Sequence, residues 1–306
     1  MKRLFLLLLV LFAWTSVFAQ RQMCTCQFAE KDGQPLFMDV YTPENVNDST
    51  ITVVYVFGGG FVSGERNSAS SAEYCMKLAD CGYIAVAIDY RLGLKGEKNI
   101  GIFNHKPVEK AVHYAAEDAI SALSYLVKNA NDLKVNPEKI VMVGSSAGAV
   151  TVLQTDYALC NGFLNADILP DDFRLAGVAS YAGAIFSTEG KVKYRNHAPA
   201  PTMLFHGTAD KLVTYKQLRL FNTGFFGSSK IASRFEKFGY PYYFRRYEDY
   251  GHSVAGMFLP TIDDFNWFVG HFVVNREQLQ VEEGYRNMKR IFNSSFDKVT
   301  PQDFYK

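Results

Sequence analysis

One short segment constrains the fold of this chain more than any other. The sequence Gly144-Ser145-Ser146-Ala147-Gly148 follows an apolar run, Lys139 to Val143, that is typical of a buried strand, and small helix-forming residues come after it. A G-x-S-x-G pattern between a strand and a helix predicts a nucleophile elbow, a sharp turn that lifts one serine hydroxyl above the sheet edge. Glycine is needed at both ends because the turn crowds neighbouring backbone. We therefore predict that Ser146 is a catalytic nucleophile and that Ser145 packs into the turn.

Strands and helices alternate along most of the chain. Apolar runs predict strands at Leu36–Tyr41, Ile51–Phe57, Tyr83–Ile88, Leu175–Tyr181, Thr202–Phe205 and Tyr242–Tyr247. Helical spacing predicts helices at Ala69–Cys81, Val108–Asn129, Tyr215–Leu220, Ile231–Phe238 and Ile262–Phe272. This alternation indicates an α/β fold with a mostly parallel central sheet flanked by helices on both faces. We expect a single catalytic domain over residues 20–306, in which 275–306 is a helical tail around Gln278–Ile291.

The first nineteen residues are typical of a secretory signal peptide. Lys2-Arg3 form a basic start, Leu4 to Ala13 an apolar stretch, and Val17-Phe18-Ala19 a small-x-small cleavage site. The apolar stretch is short for a membrane span. We expect cleavage near Ala19 and a secreted or periplasmic protein without a membrane span.

The charge balance argues against polyanionic partners. The formal net charge is +1, and loss of Lys2 and Arg3 with the signal peptide leaves the chain close to neutral. With 48% hydrophobic and only 21% charged residues, the chain has the composition of a folded domain with a large core. We expect neither nucleic acid nor an anionic membrane surface as a partner.

The cysteines do not form a metal-binding pattern. Their number is odd for an exported chain, so at least one is free or pairs outside the chain. A local bridge between Cys75 and Cys81 is compatible with their spacing, whereas the simplest interpretation is that cysteines here are small semi-buried apolar residues. The five are Cys24, Cys26, Cys75, Cys81 and Cys160. We expect no metal and no cofactor.

A reactive serine needs a base to take its proton and an acid to orient that base. In a nucleophile-elbow architecture the chain order is serine, then the acid, then histidine. Asp210 follows the apolar strand Thr202–Phe205, and His252 follows the last strand, so both lie where catalytic groups gather at the carboxyl ends of parallel strands. We predict Ser146 as nucleophile, His252 as general base and Asp210 as the orienting acid.

Other residues of the same types compete for two of these roles. Glu248 and Asp249 are alternative acids, but they precede His252 so closely that they would have to fold back to reach its ring. Three of the remaining histidines are interpreted as structural, and the other two lie on loops and are alternative pocket residues. The structural ones are His113, His206 and His271, and the loop ones are His105 and His197.

A glycine-rich loop supplies the fourth part of such a site. Phe57-Gly58-Gly59-Gly60-Phe61 directly follows a buried strand, so backbone N–H groups there can hold a substrate oxygen as it becomes negative. We predict an oxyanion hole formed by Gly59, Gly60 and Ala147, the residue after the nucleophile. One such donor typically contributes on the order of 3 kcal/mol of transition-state stabilisation. The alternative is a flexible turn without this role.

These motifs together resemble the carboxylesterase and hormone-sensitive-lipase branch of the α/β-hydrolase superfamily, in particular small bacterial esterases grouped with feruloyl and acetylxylan esterases. The resemblance extends from about Leu36 to His252 and implies an α/β-hydrolase fold and a serine esterase. The segments that carry it are Phe57–Phe61, Asp89–Leu92, Glu117–Ala119, Asn136–Ile140, the elbow, His206–Asp210 and Gly251–His252. In the family Asp89-Tyr90-Arg91 looks structural.

One residue departs from the family pattern. The oxyanion motif usually begins with histidine, and this chain has Phe57 instead. The backbone donors remain, but the hydrogen bonds with which a histidine would brace the loop are absent.

The sequence also limits the substrate. Family members often carry a helical cap before the first strand, and here only a short segment precedes it; Ala184–Ala200 is likewise too short for a full lid. Two loops are expected to shape the pocket, Gly93–Lys106 and Phe221–Ser229, with Ile102, Phe103, His105, Phe225 and Phe226. An open site without a large cap suits short acyl groups or esters on a bulky carrier such as a polysaccharide.

The expected function is therefore a secreted serine carboxylic-ester hydrolase that acts through an acyl-enzyme intermediate. Its substrates would be small-molecule or polysaccharide-linked esters, either short-chain or carbohydrate-linked (acetyl or feruloyl). One alternative is a serine peptidase similar to prolyl oligopeptidase, although the N-terminal propeller usual there is absent. The other is a catalytically inactive hydrolase fold used for binding, for which only the Phe57 departure argues. The sequence does not define an oligomeric state.

Overall fold

A large sheet forms the centre of the molecule, which is described by a computed structural model over residues 23–97, 104–289 and 297–305. Its strands, and those of a smaller sheet, are β1 (Met23–Lys31), β2 (Gln34–Tyr41), β3 (Thr52–Val56), β4 (Ile84–Ile88), β5 (Ile140–Ser145), β6 (Gly177–Tyr181), β7 (Ala184–Ser187), β8 (Thr202–Gly207), β9 (Gln217–Leu220), β10 (Thr223–Gly227), β11 (Tyr242–Tyr247) and β12 (Gln280–Tyr285). Over these described residues the large sheet has nine strands, in the order β1-β2-β4-β3-β5-β6-β8-β11-β12. Strands β1 and β2 are antiparallel to their neighbours, and the others run parallel.

Helices cover both faces of this sheet. They are α1 (Ala69–Asp80), α2 (Lys106–Lys128), α3 (Ala130–Leu133), α4 (Ala147–Leu159), α5 (Ser228–Phe238), α6 (Ile262–Phe268) and α7 (Pro301–Phe304). Helix α4 packs against α2, and the end of α6 contacts the α1–β4 connection through the Tyr83–Asn266 hydrogen bond (3.0 Å). The predicted helix at Ile262–Phe272 continues past α6 as a π-helical turn, Val269–Val274. The predicted signal peptide, residues 1–19, lies outside the described residues.

The helix predicted at Tyr215–Leu220 is wrong. Residues Gln217–Leu220 form strand β9, which pairs with β10, and β10 in turn pairs with β7 in a small antiparallel sheet. A four-residue run is too short for hydrophobic periodicity to distinguish a helix from a strand. Pairing with β10 therefore determines that this segment is a strand. We call β9 and β10 with their connection the β9–β10 hairpin.

The prediction of a helix in the tail is also wrong over the part of that segment that the structure describes. The helix expected around Gln278–Ile291 is replaced over Gln280–Tyr285 by strand β12, which pairs parallel with β11. The Tyr242 hydroxyl donates to the Glu282 carboxylate (2.9 Å), and Arg245 contacts Glu283 (2.8 Å). Pairing with β11 supplies hydrogen-bond partners that the isolated segment does not have. Strand β1, before the first predicted strand, was likewise not anticipated.

The cysteines form no disulfide. Cys75 and Cys160 are buried, and the bridge considered between Cys75 and Cys81 is not formed; Cys81 instead accepts a weak hydrogen bond from Asn266 (3.7 Å). Cys24 is exposed on β1.

Helix α4 begins directly after Ser146 and is buried along its whole length. It carries Asp156, whose buried carboxyl group accepts a long hydrogen bond from the backbone N–H of Ala200 (3.4 Å). Burial raises the pKa of Asp156 to about 7, because removing a carboxylate from water costs free energy. The helix that holds the elbow therefore contains a group whose charge changes near neutral pH.

We expect Asp156→Asn to stabilise the protein increasingly as pH rises from about 4 to 7, and then by a constant amount. The folded pKa lies above the unfolded value of about 3.9, so the stability contributed by protonated Asp156 is full below the unfolded pKa and is lost as pH rises through the folded one. Asparagine has no charge to bury. Thermal unfolding across this range measures the effect, with Asp263→Asn at an exposed site on α6 as the control. If the unfolding temperatures of wild type and Asp156→Asn change with pH in the same way, this prediction is wrong.

Candidate active site

The turn between β5 and α4 has the geometry of a nucleophile elbow. Ser146 has φ 52° and ψ −117°, a strained conformation for a residue with a side chain. A Cβ atom on Gly144 would lie 2.2 Å from the Gly148 carbonyl oxygen, and one on Gly148 would lie 2.0 Å from the Val56 oxygen. Only glycine fits at both positions, as the sequence pattern predicts. The Ser145 hydroxyl points elsewhere and donates to the Ala255 carbonyl (2.7 Å).

The three predicted catalytic residues meet above the carboxyl ends of the strands. Nε2 of His252 lies 2.8 Å from the Ser146 hydroxyl oxygen, and Nδ1 of His252 lies 2.8 Å from Oδ2 of Asp210. All three side chains are buried. Because a carboxylate can only accept, Nδ1 of His252 carries a proton and Nε2 of the neutral ring is free to accept one from Ser146. The arrangement can activate a serine for attack on a carbonyl carbon.

A second histidine contacts the same carboxylate. Nε2 of His206 lies 3.3 Å from Oδ2 of Asp210, and the backbone N–H groups of Leu212 and Val213 donate to Oδ1. Burial alone would raise the pKa of Asp210, but the contacts with His206 and His252 lower it well below its usual range. His206 was interpreted from sequence as structural. Its position four residues before Asp210 was the one sequence signal that could have predicted this contact.

The alternative residues do not reach the triad. Asp249 forms an ion pair with Arg286 (3.3 Å), and Glu248 lies beside Arg246 (3.6 Å). Of the other histidines, His105 lies in the cavity wall described below, and His113 contacts Phe186 of the same wall. His197 and His271 contact residues away from it: the Ala198 and Leu159 carbonyls for His197, and Glu277 for His271.

The glycine loop lies against the elbow. A Cβ atom on Gly58 would be 3.3 Å from the Ser146 Cβ atom, so the loop backbone passes directly beside the nucleophile. The Gly59 carbonyl accepts from the N–H groups of Val62 and Ser63 (3.1 Å each). Since the peptide unit is planar and trans, these bonds orient the Gly60 N–H in the opposite direction. Gly60 and Ala147 line the cavity with Ser146, whereas Gly59 does not; the roles of all three remain predictions.

Aromatic residues brace the loop at the position where the family has histidine. The Phe57 ring stacks on Tyr90 with centroids 4.4 Å apart, and the Tyr90 hydroxyl donates to the Phe57 carbonyl (3.0 Å). The hydroxyl of Tyr305 donates to the Gly60 carbonyl (3.2 Å). Two phenol groups thus hold loop carbonyls in place without a histidine.

The chain segment Asp297–Tyr305, which we call the C-terminal strap, contacts both loops of the site. Oδ1 of Asp297 accepts from the Gly251 N–H (2.9 Å) and the Ser253 hydroxyl (2.6 Å), the residues on either side of His252. A Cβ atom on Gly251 would lie 2.4 Å from the Asp297 carbonyl oxygen, so this close approach requires glycine. Sequence reasoning missed Asp297 and Tyr305 because no local pattern reports contacts across such sequence separations.

We expect Tyr305→Phe to lower kcat up to about tenfold while KM changes little, because the ring keeps its place but no longer donates to Gly60. Steady-state kinetics on a chromogenic ester measure this. Tyr242→Phe is the matched control, since it removes a phenol hydrogen bond to Glu282 away from the cavity. A rise in KM with kcat unchanged would mean that Tyr305 contacts substrate rather than positions the loop.

A cavity of about 700 Å³ opens over Ser146. Its lining is mostly apolar and comes from the glycine loop, α4, the β9–β10 hairpin and the strap. The apolar wall includes Phe61, Val108, Val150, Phe186, Leu218, Leu220, Phe221 and Phe225. Both loops predicted to shape the pocket contribute, through His105 and through Phe221 and Phe225; Ile102 and Phe103 lie outside the described residues.

Neither a metal-binding cluster nor a membrane-spanning helix occurs among the described residues. No group of three or more His, Cys, Asp or Glu side chains there has the arrangement of a metal site. No helix in that part of the chain has the length and apolar character needed to cross a bilayer.

The parallel sheet, the elbow after β5, and an acid and a histidine after later strands define an α/β-hydrolase fold. The structure is similar to Thermogutta terrifontis esterase 2 phosphoramylated by tabun, with a TM-score of 0.58 and 21% identity over 81% of this chain and 94% of that one. The propionate-bound form of the same esterase gives a TM-score of 0.57 and 21% identity, covering 80% and 93%. The predicted fold class is therefore confirmed.

Sequence comparisons cover the first half of the fold. The BD-FAE family model matches residues 38–165, which include the glycine loop and the elbow. The cAMP-regulated D2 protein of Dictyostelium discoideum is 33% identical over 120 residues, covering 38% of this chain and 21% of that protein. The medium-chain fatty acyl-CoA hydrolase precursor of Anas platyrhynchos is 30% identical over 119 residues, covering 38% and 20%. The chain thus matches about a fifth of the length of these relatives.

Proposed function

We propose that this protein is a serine carboxylic-ester hydrolase. The observation that carries the proposal is the continuous hydrogen-bonded path from the Ser146 hydroxyl through His252 to Asp210, at 2.8 Å for each step, on the floor of an apolar cavity. Similarity to esterases in fold and in the matched segment supports it.

The mechanism follows from these positions. The Ser146 oxygen attacks the ester carbonyl carbon while Nε2 of His252 takes its proton. The carbonyl oxygen becomes negative and is held by backbone N–H groups, for which Gly60 and Ala147 are placed. Collapse breaks the carbon–oxygen bond to the alcohol, which receives the proton from His252, and leaves an acyl group on Ser146. Water activated by His252 then attacks this acyl-enzyme and releases the acid.

We propose short-chain or carbohydrate-linked esters as substrates. The cavity is lined by apolar and aromatic side chains that suit an acyl group, and the β9–β10 hairpin and β7 form part of its wall. A structural neighbour solved with propionate bound supports the short-chain assignment.

We also propose that the protein is exported. The support is the basic start, apolar stretch and small-x-small site of residues 1–19. Expression of the full chain in a bacterium, followed by fractionation and N-terminal sequencing, tests this. A chain that begins near Gln20 outside the cytoplasm is expected, and an uncleaved cytoplasmic chain would contradict export.

The first test of the activity is hydrolysis of p-nitrophenyl esters from acetate to octanoate, with methyl ferulate and acetylated xylan alongside. Labelling by a fluorophosphonate, mapped by mass spectrometry, should modify Ser146; one structural neighbour was solved phosphorylated by paraoxon. Turnover with labelling at Ser146 is the expected result. Cleavage of a prolyl peptide instead of esters would favour the peptidase alternative, and no turnover and no labelling would favour a binding protein.

A further inference from the structure

A second groove, of about 220 Å³, lies on the other side of the β9–β10 hairpin from the catalytic cavity. Four cationic side chains line it, from the β7–β8 connection, from β9 and from α5. They are Lys191, Arg219, Lys230 and Arg234. We call this the basic groove.

The positive charge of the basic groove is not balanced locally. None of its lining residues is acidic, and none of the residues that line the catalytic cavity is acidic. Within the described parts of the chain, the ion pairs do not include any of the four cations; the nearby Glu189 is engaged by Lys193 and Arg195 instead. In a protein of formal net charge +1, such a local excess gives a positive potential that attracts anions.

A buried donor in the groove wall also lacks a partner. Nε of Arg234 is buried and makes no hydrogen bond to the described residues, while its guanidinium group lies 4.0 Å from the Phe238 ring centroid. Unsatisfied buried N–H groups are uncommon in folded proteins, and an ion is one of the partners that can explain them. The planar guanidinium group is suited to a carboxylate, which it binds through two parallel hydrogen bonds.

The groove and the catalytic cavity share one residue. Side chains alternate along β9, so Gln217 and Arg219 face the groove while Leu218 faces the cavity, and Arg219 at the hairpin edge borders both. A substrate whose ester lies at Ser146 can therefore pass over this edge and place an anionic part in the groove. Gln217 and Ser233 provide neutral hydrogen-bonding groups beside the cations, as sugar hydroxyls require.

We propose that the basic groove binds the carboxylates of an acidic glycan whose ester is cleaved at Ser146. The inference rests on the proposed esterase function and deepens it, because it assigns the alcohol part of the substrate to uronate-bearing polysaccharides. Arg234 and Lys230 on α5 are the specificity-determining residues, and Arg219 connects them to the cavity.

The test uses the full chain as the enzyme and measures the acetate that it releases from two polymers. One is polygalacturonate acetylated on its hydroxyls, and the other is neutral acetylated mannan. We expect KM to be about tenfold lower for the acidic polymer, as one charge-assisted hydrogen bond allows, and the difference to shrink at high salt. Arg234→Glu and Lys230→Glu should remove the difference without changing p-nitrophenyl acetate kinetics. Lys237→Glu, the same charge change on α5 outside the groove, should retain it.

Binding without turnover separates this inference from the proposed function. Calorimetric titration with trigalacturonate needs no hydrolysis, so binding that Arg234→Glu abolishes supports the groove even if no ester is cleaved. Arg234→Gln serves if the reversed charge prevents folding. Ester hydrolysis with equal KM for both polymers, or with no effect of the variants, would overturn the inference. If dextran sulfate binds with the same affinity as trigalacturonate, the assignment to carboxylates is overturned. If single-stranded DNA binds with that affinity, the assignment to a glycan is overturned.

Discussion

Replacing Ser146 by alanine is expected to lower kcat for ester hydrolysis by about 10⁴- to 10⁶-fold, leaving only what substrate binding and the oxyanion donors provide. The hydroxyl removed is the group that lies 2.8 Å from Nε2 of His252, and no other described hydroxyl is hydrogen-bonded to that nitrogen. Water in its place lacks the fixed position and forms no acyl-enzyme. Fluorophosphonate labelling should disappear together with turnover.

Ser145→Ala is the matched control, since it removes the neighbouring hydroxyl and its 2.7 Å hydrogen bond to Ala255. We expect it to lower thermal stability slightly and activity far less than Ser146→Ala does, because that bond joins the elbow to the helical turn after His252 without touching a reacting atom. If Ser145→Ala and Ser146→Ala lose turnover equally, the loss reflects a change in the shape of the elbow, and Ser146 is not shown to be the nucleophile.

Changing Asp210 to asparagine is expected to lower kcat by about 10⁴-fold. The carboxylate accepts from Nδ1 of His252 and stabilises the imidazolium that forms when Ser146 gives up its proton. Asparagine is neutral, and its amide group favours the wrong tautomer of the ring when its N–H donates. Because contacts with His206 and His252 lower the pKa of Asp210, this carboxyl group should stay ionised over the pH range in which the kinetics are measured.

Asp249→Asn is the control for that substitution, as Asp249 is close to His252 in sequence yet pairs with Arg286. Kinetics of both variants from about pH 5 to 9 on one ester distinguish the two carboxylates. A large loss in Asp249→Asn with a small one in Asp210→Asn would mean that the loop before His252 rearranges during catalysis.

The centre of the fold was predictable because its strands are buried on both faces. Thr52–Val56 and Ile84–Ile88 are continuous apolar runs, which is what a covered parallel sheet requires, and the elbow glycines fix the next turn. Strands β9 and β12 gave no such signal. Both are mostly exposed, β9 is only four residues long, and pairing with their neighbours rather than burial of their own side chains determines their structure.

For the candidate site, sequence order and strand ends were sufficient to predict that Ser146, Asp210 and His252 lie together, and the structure brings them into contact. The bracing contacts were not accessible in that way. That Phe57 stacks on Tyr90, and that Tyr305 reaches Gly60, depends on how distant segments fold over one another, and aromatic residues are abundant enough in this chain that no particular pair stands out.

The C-terminal strap has a practical consequence for anyone who purifies this protein. A fusion tag attached after Tyr305 would emerge beside the oxyanion loop and the mouth of the cavity, since that tyrosine contacts Gly60 and lines the cavity wall. Rates measured on such a preparation would include the influence of the tag. A tag placed before Met23 instead adjoins strand β1 at the edge of the large sheet, and the strap keeps its contacts with the catalytic loops.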